Sequence, residues 1–134
     1  MWISKISSKV FTRVKSKGNK ALKSTYPDIY FTDSDKTQTN PKFPSVYIHE
    51  LPGVEKGQDL EGNSINSVLS SFQIDVTDNV SQGNVKVVMN EIVGIMKSMR
   101  FSVIGTPEFQ NTDSAYRGTA RFRRTIDWND LENL

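Results

Sequence analysis

At 134 residues, with a formal net charge of +2 and no cysteine, the chain has the length of one ordinary domain and cannot form a disulfide or a thiolate metal site. No stretch approaches the roughly eighteen apolar residues of a membrane-spanning helix, and the first residues lack a signal-peptide apolar core, so a soluble protein that begins in the cytoplasm is expected. The small net charge hides an asymmetry. Residues 1–25 carry seven basic side chains and no acidic one, while the remainder holds ten basic and fifteen acidic residues, which leaves it at −5. A basic segment against an acidic body fits nucleic acid, an anionic membrane or an acidic protein neighbour, and more commonly a merely solvated helix face.

The first segment, from about Ile3 to Ser24, reads as an amphipathic helix. Ile3, Ile6, Val10, Val14, Ala21 and Leu22 fall near a three-to-four spacing, with Lys5, Lys9, Arg13, Ser16 and Lys20 on the other side. Gly18-Asn19 predicts a kink or break, because glycine inside a helix costs about 1 kcal/mol relative to alanine. Pro27 ends the segment by pushing its predecessor out of the helical region. Ile29-Tyr30-Phe31 suits a first strand, and a polar connection runs from Thr32 to Lys42. A second strand opens at Phe43-Pro44, continues through Val46, Ile48 and Leu51, and is expected to end at Pro52-Gly53. The stretch from Pro52 to about Asn66 is charged, glycine-spaced and without period, and reads as a long mobile hairpin loop.

From Val68 to Thr77 the sequence alternates, with Val68, Ser70, Phe72, Ile74 and Val76 on one face and a mostly polar set, including Gln73 and Asp75, on the other. Asp78-Asn79 and Ser81 offer N-cap chemistry for a second helix. Its stripe is Val85, Val88, Met89, Ile92, Met96 and Met99, which makes the methionines core rather than a binding groove. Phe101 to Ile104 is a strand ended by Gly105, and Pro107 to Ala115 a second polar connection. The final strand, about Tyr116 to Trp128, places Ala120, Phe122, Ile126 and Trp128 on one side. Arg121, Arg123, Thr125 and Asp127 fall on the other, and Arg124 interrupts the apolar face. The order α-β-β-β-α-β-β, with strands in runs, predicts an α+β fold: a largely antiparallel sheet with two helices packed on one face, one domain over 1–134.

Catalytic constellations are sparse. His49 stands beside Glu50, but neighbouring strand residues point to opposite faces and no activated nucleophile accompanies them. Asp33-Ser34-Asp35 begins like a calcium loop without its glycine or terminal glutamate, and Gly53, Gly57 and Gly62 match no phosphate-binding fingerprint. A non-enzymatic protein without metal or cofactor is expected. Two features invite an interface reading: the charged 52–66 segment with Glu55, Lys56, Asp59 and Glu61, and the basic last strand with Arg121, Arg123 and the nearby Asp127. Such a strand suits contact with phosphate or with acidic groups of a neighbouring subunit, and equally the protection of an exposed sheet edge.

With these elements in order, the chain resembles the tail terminator (tail completion) proteins of long-tailed bacteriophages over about Tyr26 to Trp128. Four stretches in series carry the likeness. They are Ile29-Tyr30-Phe31 before a polar gap, the Phe43-Pro44-Ser45-Val46-Tyr47-Ile48 strand opening, the charged loop returning through Phe72-Gln73-Ile74-Asp75-Val76, and Tyr116-Arg117-Gly118-Thr119-Ala120-Arg121-Phe122-Arg123. The resemblance implies a virion protein, assembled in the bacterial cytoplasm, that forms a ring, commonly a hexamer, on the last ring of the tail tube. Its partners would then be copies of itself, the tail tube protein and the head-completion connector, with no membrane and no specific nucleic-acid binding, although DNA would pass through the ring. The basic first helix is not part of the resemblance. Another neck or head-completion protein is the nearest alternative, and a small nucleic-acid-binding module a more distant one.

Overall fold

A computed structural model describes residues 2–34, 42–58 and 65–134 of the chain. A short 3-10 turn, Trp2–Ser4, leads into α1, Lys5–Leu22. Then follow β1 (Tyr30–Thr32), β2 (Ser45–Gln58), β3 (Ile65–Asp78), α2 (Gln82–Ser98), β4 (Ser102–Val103), β5 (Glu108–Asn111) and β6 (Tyr116–Asp127), with a closing 3-10 turn at Trp128–Asn133. The strands form one mixed sheet in the order β1-β2-β3-β6, and both β4 and β5 pair with the far side of β6. Among the described residues, only the β1–β2 pairing is parallel.

The α+β layering follows from strand period. Val46 and Ile48 on β2, Val68, Phe72, Ile74 and Val76 on β3, and Ala120, Phe122 and Ile126 on β6 are all buried on one face. Against them lie Ile6, Val10, Val14 and Leu22 of α1 and Val85, Val88, Met89, Ile92, Ile95 and Met96 of α2. Phe72 and Phe122 pair across the central strands, and Phe101 meets Phe72 edge-on with ring centroids 5.6 Å apart. Each such side chain contributes roughly 1.5–3 kcal/mol through burial. All three methionines expected in the core are there.

The helices are joined to the sheet by specific bonds. Asp78, only 2% exposed, accepts the backbone N–H groups of Val80 and Ser81, both at 3.1 Å, and the Asn84 side-chain amide at 3.0 Å. Ser81 Oγ accepts the Asn84 N–H at 3.2 Å and caps α2. At the other end Arg100 adopts φ 66°, and the N–H groups of Arg100 and Phe101 return to the carbonyls of Lys97 and Met96. That is a Schellman close, made here by arginine where glycine is the usual occupant.

Several expectations are corrected. α1 does not break at Gly18; it runs on to Leu22, because Gly18 is where the helix lies against the Phe31 ring. Most of the expected 52–66 loop is strand: β2 continues to Gln58 and β3 starts at Ile65. A register shift between Leu51 and Val54 carries the chain past Pro52-Gly53, whose missing N–H is then not needed for the ladder. The expected mobility of the rest of that segment falls on 59–64, outside the described residues. The connection from Pro107 to Ala115 contains an extra strand, β5, paired with β6.

Two corrections concern β6 itself. Trp128 is not core but 61% exposed, because the strand ends at Asp127 and its alternation ends with it. Arg124, on the helix-facing side, is accommodated by the end of α2. Its Nη1 donates to the Met99 carbonyl at 2.9 Å and its Nη2 lies 3.5 Å from Asp130 Oδ2. The cation therefore bonds a carbonyl at the C-terminal end of the helix, where positive charge complements the dipole.

Candidate functional site

With both helices on one face, the opposite face of the sheet has no covering layer among the described residues. Cross-strand register builds it in rows. Tyr47, Asp75, Thr119 and Glu108 align across β2, β3, β6 and β5; His49, Gln73 and Arg121 form the next row, and Leu51, Ser71, Arg123 and Ser102 the one after. On the other side of the first row stand Ser45, Thr77, Arg117 and Gln110.

Asp75 is the centre of this surface. Although it faces away from the core it is only 5% exposed, because its neighbours close over it. Thr119 Oγ1 donates to Asp75 Oδ1 at 2.7 Å, and the Gln73 amide approaches both carboxylate oxygens at 3.4 and 3.5 Å. Arg117 Nη2 lies 3.7 Å from Oδ2 and His49 Nε2 3.6 Å from it. The imidazole stacks on the Tyr47 ring at 4.5 Å between centroids, and its buried Nε2 has no hydrogen-bond partner. Arg121 Nε donates to Gln73 Oε1 at 3.1 Å, which extends the network along β6. Gln73, Asp75, Thr119 and Arg117, with Glu108 and Gln110, line a shallow depression of about 160 Å³. A buried carboxylate that accepts several bonds fixes its donors, so the face presents a set arrangement of polar groups.

This order of groups does not reproduce acyl-transfer chemistry. In a catalytic triad the imidazole sits between carboxylate and hydroxyl, whereas here the carboxylate sits between imidazole and hydroxyl. Among the described residues no three His, Asp or Glu side chains converge on a point where a metal ion would bind. None of the helices is long and apolar enough to cross a membrane, again among the described residues. The Asp33 turn is closed by Thr32 Oγ1, which accepts the Ser34 N–H at 3.0 Å.

Of the interface candidates read from sequence, Arg121, Arg123 and Asp127 are exposed on the open face as the alternation requires. Edge protection does not apply to the first two, since β6 is paired on both sides there: with β3, and with β4 at Ser102↔Arg123. The Ile104 N–H also bonds the Arg121 carbonyl at 2.8 Å. Lys56 pairs with Ser67, and Ser67 with Asp127, so those three share one cross-strand row. Glu55 pairs with Val68 in the adjacent row. Asp59 and Glu61 lie outside the described residues. The sequence reading missed Asp75, Thr119 and Arg117 as one group; the polar alternation of β3 was visible, but not which residues of β6 stand beside it.

No protein-family model matches the chain, and no curated protein sequence does. Among solved structures, a chain that covers 87% of this one and 94% of its own length superposes with a TM-score of 0.43 at 11% identity. A likeness at that level carries no argument about function.

Proposed function

We propose that this chain is a non-enzymatic virion protein of a long-tailed phage that assembles into a ring on the end of the tail tube, halts tube growth and offers the joining surface for the head. The observation that carries the reading is the one-sided sheet. Its bare face holds a charged, pre-bonded array centred on Asp75 and continued by Arg121 and Arg123. A surface of this kind suits a neighbour of complementary charge, and a closed ring needs one patch that binds a different patch on the next copy. The order of the elements and the resemblance over about Tyr26 to Trp128 supply the identity of the assembly.

The test uses Arg121→Glu/Arg123→Glu. Both side chains are exposed, so the fold should change by less than about 1 kcal/mol, the Arg121–Gln73 bond included. The parent protein, mixed with growing tail tubes, should form rings visible by electron microscopy and fix tube length. The charge-reversed variant should stay soluble, with tubes that grow past it. A parent protein that remains monomeric in the presence of tubes and leaves their length unchanged would refute the ring reading.

A further inference from the structure

The basic first helix takes no part in the open face, and its outer surface has a chemistry of its own. Lys15, Lys17 and Lys20 are exposed on α1 and Lys23 at its C-cap, and Lys97 and Arg100 are exposed at the end of α2. No ion pair within 4.0 Å involves any of these six among the described residues. Lys17 and Lys20 border a groove of about 500 Å³ between the two helices, with Ala21, Gly94 and Ser98 in its wall and Glu91 as its one carboxylate. Lys15 and Lys23 border a second depression, of about 230 Å³, with Asn19, Tyr30, Lys42 and, among the described residues, a single acid, Asp28. Between these two edges Ser8, Thr12 and Ser16 form an exposed row of hydroxyls at i, i+4 and i+8.

Helix electrostatics does not account for the whole set. Lys20 lies in the last turn and Lys23 at the C-cap, where cations complement the helix dipole, but that effect fades within one turn and does not reach Lys15 or Lys17. Lys15 does rest over the Phe11 ring at 5.9 Å, a contact that leaves its charge exposed. A membrane surface is a poor fit. The apolar stripe of α1 is turned into the core, and no large apolar side chain is exposed among its described residues for insertion. An acidic protein partner would meet α1 through ion pairs alone, because no large apolar side chain is exposed among its described residues to anchor one, and the hydroxyl row between the lysines would go unused. Unpaired lysines flanking a row of hydroxyl donors match a sugar-phosphate backbone, which is bound through such groups without any reading of bases.

We infer that the outer face of α1, with the end of α2, binds the phosphate backbone of duplex DNA independently of sequence. An 18-residue helix is about 27 Å long, the length of roughly eight base pairs. The four lysines between residues 15 and 23, at its C-terminal half and cap, would displace about four counterions, so log K should fall with log salt at a slope near −4. The inference does not rest on the ring reading, because a monomer suffices for it.

The experiment is fluorescence anisotropy of the full chain with labelled duplexes of about 20 bp, in two unrelated sequences, between about 50 and 200 mM salt. Both duplexes should bind equally, with the slope given above. Lys15→Gln/Lys17→Gln, which spares the last turn and so the helix, should make the slope shallower by about 2 and weaken binding roughly tenfold at low salt. Glu91→Gln should tighten binding. Lys86→Gln, a lysine over Phe109 on another part of the helix layer, should leave binding unchanged. Absence of binding at the lowest salt, a Lys15/Lys17 variant that binds like the parent, or binding to phosphatidylserine vesicles but not to DNA would each overturn the inference.

Discussion

Replacing Gly18 by alanine should destabilise the protein, against the helix-propensity expectation. A glycine inside a helix costs about 1 kcal/mol relative to alanine, so on α1 alone the substitution would be a gain. The packing reverses the sign. An alanine Cβ at position 18 would stand 2.5 Å from Phe31 Cζ and 2.8 Å from Cε1. Phe31 is buried and its ring is rigid, so the ring or the helix must retreat by about 1 Å, and overpacking of this sort costs about 1–3 kcal/mol. The net should be a loss of about 1 kcal/mol, a few degrees in Tm for a domain of this size. Gly94 of α2 is the internal comparison: nothing lies within 4 Å of its would-be Cβ, so Gly94→Ala should stabilise by up to about 1 kcal/mol. Urea denaturation of both variants would measure the difference. In a Phe31→Leu background the Gly18→Ala penalty should shrink, since the clashing ring atoms are gone. A Gly18→Ala protein as stable as Gly94→Ala would refute the close contact between α1 and Phe31.

Asp78→Ala should cost about 2–4 kcal/mol, because the Val80 and Ser81 N–H groups and the Asn84 amide all lose one buried carboxylate acceptor; chemical denaturation would show it. Arg100→Gly should raise stability by up to about 1 kcal/mol by relieving a left-handed backbone at the end of α2, read as a rise in Tm. Partial desolvation raises the Glu50 carboxyl above its ordinary value of 4.5, so the stability it contributes is present below that pH and lost as pH rises through its folded-state value. Glu50→Gln should therefore stabilise the protein at neutral pH, with the difference from the parent vanishing in acid; a pH series of melting curves would check the sign.

The sequence by itself determined what depends on period. Helical spacing marked Val85, Val88, Met89, Ile92 and Met96 as the buried stripe of α2, and alternation put Arg121 and Arg123 on the solvent face of β6. These properties are local, fixed by where successive side chains point along one element. The tertiary structure decided everything that depends on a second element. Gly18 looks like a helix breaker until the Phe31 ring is placed against it, and Pro52 looks like a strand end until the bulge beside β3 absorbs it. Arg124 interrupts an apolar face, yet it meets the Met99 carbonyl and Asp130 there. Asp75 gains its setting only when β3 and β6 pair in the register that brings Thr119 beside it, 44 residues away along the chain. Strand register is set by pairing between distant segments, and the period of one strand contains no record of which partner residue will stand opposite.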